Sequence, residues 1–143
     1  MSVRENARKE GDLLVIVKAK EHAIYALRAT ANEKYFPKRH RFSVVKIIIN
    51  LSIKILMELI EANEIIPETR DEFLKRRKLQ KKAAAKCRSL LALIDISKTS
   101  FDINYKKINH WTSLVVEIRR MTIRWMKSDY SRYSHLLGDT LNT

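Results

Sequence analysis

Residues Ser43 to Asn63 read SVVKIIINLSIKILMELIEAN, and this stretch decides the fold. Its polar residues, Lys46, Asn50, Lys54, Glu58 and Glu61, recur at spacings of three and four, so on a helix they form one narrow stripe. Lys54 and Glu58 stand at i,i+4 and can pair. Ser43 is placed to cap the helix. Almost everything else on the circumference is apolar, from Val44 and Val45 through Ile47, Ile48, Ile49, Leu51, Ile53, Ile55, Leu56, Met57, Leu59 and Ile60. A surface helix needs an apolar arc of roughly 100°, and this one has about twice that. A four-helix bundle has no central helix to use the surplus, so the second apolar face is predicted to pack on another subunit. Ile48, Leu51, Ile55 and Leu59 are the candidate interface residues.

The surrounding sequence supplies three more helices. Two glycines and two prolines in 143 residues leave too few turns for a sheet protein, whose turn signals recur about every 8–12 positions. A first helix is predicted from Leu13 to Lys34, with Leu13, Ile16, Val17, Ile24, Leu27 and Ala31 inward, ending before Pro37 because the residue preceding proline disfavours helix. After Pro67, Thr69 and Glu72 fit a capping box. A third helix then runs from Arg70 to about Ile96, with Phe73, Ala83, Cys87, Leu90, Leu91 and Ile94 on one side. A polar connection around Asp102 and Asn104 leads to a fourth helix ending near Lys127. There Ile108, Trp111, Val115, Ile118, Thr122 and Trp125 make a heptad seam, which assigns both tryptophans to packing. The expectation is an all-α, antiparallel four-helix bundle over residues 1–127 that assembles as a homo-oligomer. Residues 128–143 form a tail without a clear pattern, expected either to be disordered or to dock on a partner.

The net charge of +13 repels itself unless a polyanion balances it. Nucleic acid is the first partner to consider and an anionic membrane surface the second. Eight basic residues and no acid lie between Lys75 and Arg88. Lys75, Lys78, Lys82 and Lys86 form one row, with Arg77, Lys81 and Arg88 further round. Arg76 alone points toward the apolar stripe, to snorkel or to meet a buried acid. The fourth helix adds Arg119, Arg120, Arg124 and Lys127. A long regular cationic face suits phosphate contacts rather than base readout.

The turn Tyr35–Phe42, YFPKRHRF, contributes Lys38, Arg39 and Arg41. Phe36 and Phe42 are read as clamping this turn. Arg41 has two readings, a phosphate contact or a partner of a carboxylate on another helix, since a bare cation at a helix start is disfavoured.

The chemistry of an enzyme is missing. There is no glycine-rich phosphate loop, no metal-spaced Cys/His cluster, and His22, His40, His110 and His135 are scattered. Glu58 and Glu61 lack the second pair or Glu-x-x-His motif of a di-metal bundle. The reading is of a non-enzyme without cofactor. Cys87, the single cysteine, lies in the apolar stripe as a buried small hydrophobe, and its solitude suits a reducing compartment. The charged amino-terminal residues offer no signal-peptide core, and no segment reads as a membrane span. The expected location is the cytoplasm.

Four motifs in order carry a family resemblance. They are Phe36-Pro37-Lys38-Arg39-His40-Arg41-Phe42, then Leu59-Ile60-Glu61-Ala62-Asn63, then Leu90-Leu91-Ala92-Leu93-Ile94-Asp95, and finally the run from Val116 to Lys127, VEIRRMTIRWMK. Together they resemble the accessory variability determinant (Avd) proteins of diversity-generating retroelements, over roughly Leu13 to Lys127. Ile123 and Arg124 stand where that family often has glycines. The resemblance implies a four-helix bundle forming a basic homopentameric barrel. Its partners would be the retroelement's reverse transcriptase and template RNA, with DNA or an RNA–DNA hybrid as a further one, in support of mutagenic cDNA synthesis. The bundle proteins encoded by intervening sequences in large-subunit ribosomal RNA genes share the FPK-type turn and are the second resemblance. A scaffold whose basic face meets an acidic protein is the competing reading.

Overall fold

A computed structural model describes residues 3–138, with side chains described from Leu14 onward. Four long helices carry the chain: α1, Val3–Ala31; α2, Lys46–Glu64; α3, Arg70–Phe101; and α4, Tyr105–Tyr133, followed by one short turn of helix, α5, His135–Gly138. α1 packs on α2, α2 on α3, α3 on α4, and α4 back on α1. Paired residues run in opposite directions across the seams, Glu58 with Lys86 and Ile65 with Arg76 on α2/α3, so successive helices are antiparallel and the four close into a square.

Local chemistry explains the corners. After α1 the carbonyl of Asn32 accepts from the amides of Tyr35 and Phe36. A 3₁₀ turn, Lys38–His40, follows Pro37, and Arg41–Val45 is wound wider, as a π-helical turn, before α2 begins. Ser43 therefore lies inside a helical turn, where its hydroxyl donates to the His40 carbonyl at 3.2 Å, and it caps nothing. Phe36 is buried and meets Phe101 and Trp111 edge-on, whereas Phe42 is 84% exposed and clamps nothing. Thr69 caps α3 as its sequence predicts: its Oγ1 accepts from the Glu72 amide and Glu72 Oε1 accepts from the Thr69 amide. Asp102 ends α3 in the left-handed conformation, and the Asn104 side chain accepts from the Lys106 amide to start α4.

The core is legible along α3 and α4. Ile108, Trp111, Val115, Ile118, Thr122 and Trp125 are all buried, as are Phe73, Ala83, Cys87, Leu90 and Ile94. Two expectations are corrected. On α2, Ile48, Ile55 and Leu59 are fully buried inside this one chain, and Leu51 is half-buried against its core. Ile48, Ile55 and Leu59 therefore have no surface left for a subunit interface. On α1 the inward residues are Val15, Ala19, His22, Ala23, Ala26 and Thr30, while Val17, Ile24 and Leu27 face out. The small face packs inward because alanines let the helix approach its neighbours closely, and the bulkier face remains outside.

The chain past Lys127 is also more ordered in character than its pattern suggests. α4 continues to Tyr133, and Asp129 is fully buried. It occupies the next seam position after Trp125. Arg76 grips it with two bonds, Nε to Oδ2 at 2.7 Å and Nη2 to Oδ1 at 2.8 Å, while Nη1 donates to the Ile65 carbonyl at 2.9 Å. Gln80 Nε2 donates to Asp129 as well, at 2.8 Å. This is the buried acid that Arg76 called for. Residues 139–143 of the expected tail lie outside the described residues.

Candidate nucleic-acid interface

The cations fall on the α3/α4 side of the square, but not equally free. Arg88, Arg119, Arg120, Arg124 and Lys127 line one groove between α3 and α4 of about 360 Å³, with Leu91, Val116 and Ile123 as its apolar floor. No carboxylate lines it. Glu117 stands in the adjoining shallow groove with Arg120 and Arg124. Helical geometry explains the convergence: Arg119, Arg120, Ile123 and Lys127 share the α3-facing flank of α4, and Arg88 and Leu91 the α4-facing flank of α3. The Nε of Arg119 is buried without a hydrogen-bond partner.

The α3 row divides. Lys75, Lys78, Lys81 and Lys82 are exposed, and none is in an ion pair among the described residues. Lys86 is not free, because it pairs with Glu58 of α2. Glu58 thus reaches across the α2/α3 seam rather than along α2 to Lys54. Arg77 is half-buried, with Nη1 3.5 Å from the Met126 carbonyl and its guanidinium 5.7 Å from the Tyr130 ring.

The turn cations sit at the α1/α2 end. Lys38 pairs with Glu33 at 3.5 Å, and Arg39 Nε donates to His40 Nε2 at 3.1 Å. Arg41 is exposed and has no carboxylate partner among the described residues. The turn therefore stands apart from the α3/α4 groove.

The other side of the square mixes charges of both signs, among them Lys20, Glu21, Lys46, Lys54 and Glu61, with exposed apolar residues. Ile53, Met57 and Ile60 of α2 and Val17, Ile24 and Leu27 of α1 are each between 39% and 51% exposed. Leu27 and Ala31 meet Val45 and Ile49 in one groove between the two helices. The surplus apolar face of α2 exists, but Ile53, Met57 and Ile60 carry it, joined by the outer face of α1. Residue classes alone could have found this: once the inward α2 face is phased on Ile48, Ile55 and Leu59, these are what remains opposite α3.

Two buried groups are chemically quiet. His22 Nε2 accepts from Trp111 Nε1 at 3.0 Å, and burial pulls its pKa down to about 4, so the ring is neutral. Burial pushes the Cys87 thiol up to about 12, against a smaller opposing pull from Arg119, so no reactive thiolate forms. Among the described residues no group of His, Cys, Asp and Glu is placed to hold a metal ion, and no helix is long and apolar enough to cross a membrane.

Fold and surface together define an all-α protein of four main helices, each packed on its neighbours, with a cation-lined groove between α3 and α4 and exposed apolar residues on α1 and α2. Compared with family models, curated proteins and solved structures, the chain matches none.

Proposed function

We propose that this chain is a basic accessory subunit that binds nucleic acid beside a retroelement reverse transcriptase and its template RNA, in support of mutagenic cDNA synthesis. The observation that carries the nucleic-acid part is the α3/α4 groove, where Arg88, Arg119, Arg120, Arg124 and Lys127 converge without a carboxylate among them. Cations brought together in this way repel, and a phosphate backbone laid along the groove relieves them. Lys78, Lys81 and Lys82 extend the footprint along α3. The polymerase supplies the catalysis, and the bundle is not an enzyme.

The reverse transcriptase enters through the resemblance to the accessory variability determinant proteins, and the four-helix architecture is compatible with it. The same reading includes self-association, and the outer α1/α2 side, with Ile53, Ile60, Ile24 and Leu27 exposed, is the surface we assign to it. The pentameric form rests on the resemblance.

The test is RNA affinity measured across a salt series. Five phosphate contacts give a slope of log K against log salt of about −3.5 on single strands to −4.5 on duplex. A slope near zero overturns the reading. Tight binding to an acidic protein with no RNA affinity at physiological salt favours the scaffold instead.

A further inference from the structure

A second cavity lies at the other end of α4, between the end of α1, the following turn and the start of α4. It measures about 270 Å³. Phe36 and Trp111 close its floor, both buried, and Tyr25 and Tyr35, both half-buried, wall it. Arg28 and Lys107 stand exposed at the rim. Lys107 Nζ lies 4.6 Å from the centre of the Tyr35 ring. Neither rim cation is in an ion pair among the described residues, and no carboxylate lines the cavity.

Aromatic walls select a flat ring, and two unpaired cations at the mouth select an anion attached to it. The volume falls just below the roughly 300–1,000 Å³ of drug-sized pockets, so it suits one base with its phosphate and excludes a dinucleotide cofactor. We infer that this cavity is a nucleotide subsite that receives one unpaired base, with Tyr25 and Tyr35 against the ring and Arg28 and Lys107 on the phosphate. Base–aromatic contact of this kind tolerates any sequence, and a base inside a duplex cannot enter. Lys107 is twelve residues from Arg119 on α4, roughly 18 Å along the axis, and faces α1 rather than α3. The subsite is therefore separate from the groove. It deepens the nucleic-acid reading and rests on it only in assuming that RNA is the natural source of the base.

The test compares three probes, adenosine monophosphate, a short single-stranded oligoadenylate and a fully paired duplex, on the intact protein, its Arg28→Glu/Lys107→Glu variant and an Arg120→Glu/Arg124→Glu groove variant. The rim variant should lose about tenfold in affinity for the single strand and keep its duplex affinity. Tyr35→Ala should lose a similar factor that Tyr35→Phe retains. A single strand carrying 5-iodouridine should photocrosslink to Tyr25 or Tyr35. Mononucleotide binding that the rim variant abolishes also supports the subsite and identifies free nucleotide as an occupant. Equal loss on single strand and duplex, or crosslinks confined to α3 and α4, overturns it. Loss of duplex affinity in the groove variant with the rim variant indifferent to every probe sinks the subsite and leaves the proposed function standing.

Discussion

The two sides of the square are built on opposite plans. On the α3/α4 side the interior holds an ion pair and a glutamine, Arg76, Asp129 and Gln80, and the exterior is a row of cations. On the α1/α2 side the interior holds alanines, His22 and Thr30 from α1 and isoleucine, leucine and Ser52 from α2, and the exterior mixes large apolar side chains with charges of both signs. The first side separates polarity from the core except at one network, in which Asp129 is held by Arg76 and Gln80 while the Gln80 Oε1 is left buried without a partner. The second has more apolar surface than one chain can bury. A polar exterior can rest in water or on an anion, but scattered apolar residues become informative when they gather on one side. The difference teaches that the two sides face different kinds of partner.

The largest effect should come from the network beneath the cationic side. Asp129→Ala leaves the Arg76 guanidinium buried and unpaired, a loss of about 3–5 kcal/mol, read by urea unfolding. If the loss is under about 1 kcal/mol, the two interiors do not differ energetically. Next is pH, which probes the other side. His22 is held neutral with a pKa of about 4 against an ordinary 6.5. As pH falls from 6.5 to 4 the unfolded chain takes up the proton first, so stability falls with it, by about 3 kcal/mol. Above pH 6.5 this contribution is constant. Unfolding at a series of pH values checks it, and His22→Gln should flatten that slope.

A third test reads the exteriors. Arg120→Glu with Arg124→Glu should weaken RNA binding by about tenfold to a hundredfold, or about 1.4–2.7 kcal/mol, with helicity unchanged by circular dichroism. Retained affinity would move the site to the turn around Arg41. The smallest change in stability belongs to Ile53→Lys with Ile60→Lys. Both side chains are outside the core, so unfolding should shift by no more than about 0.5 kcal/mol, while the mass in solution by light scattering drops to that of a single chain. A wild-type protein that is already monomeric would leave the apolar side without the role assigned to it.

Much of this was legible in the residues, and the exceptions have physical causes. The α4 seam is anchored by Ile108, Trp111, Ile118 and Trp125 at steps of three and four, so its period is readable. Thr69 and Glu72 announce their cap because the motif is local. α1 misleads because hydrophobicity is a poor guide where close approach decides: Ala19, Ala23 and Ala26 pack inward because they are small, while the larger Val17, Ile24 and Leu27 mark the outer face. The residues Ile48, Ile55 and Leu59 belong to the right helix but its other face, since a helix apolar nearly all round gives no phase. Asp129 looks like a surface acid in sequence, and only its place one seam step beyond Trp125 reveals its burial. The groove cations were visible as a set, but the pairing of Lys86 with Glu58 crosses two helices and leaves no periodic trace. The aromatic cavity combines residues from three segments, beyond the reach of any local pattern.

The square has a kinetic consequence. Three of its four seams join helices adjacent in the chain, so most contacts are local and folding should be fast, in the microsecond to millisecond range of helical bundles. The fourth seam, α1 against α4, is closed by partners as distant as His22 and Trp111, 89 residues apart. During synthesis from the amino terminus, α1 leaves the ribosome long before α4 exists. α2 can cover one flank of α1 as soon as it is made, but the flank that carries His22 waits for α4, and the bundle closes in a single late step.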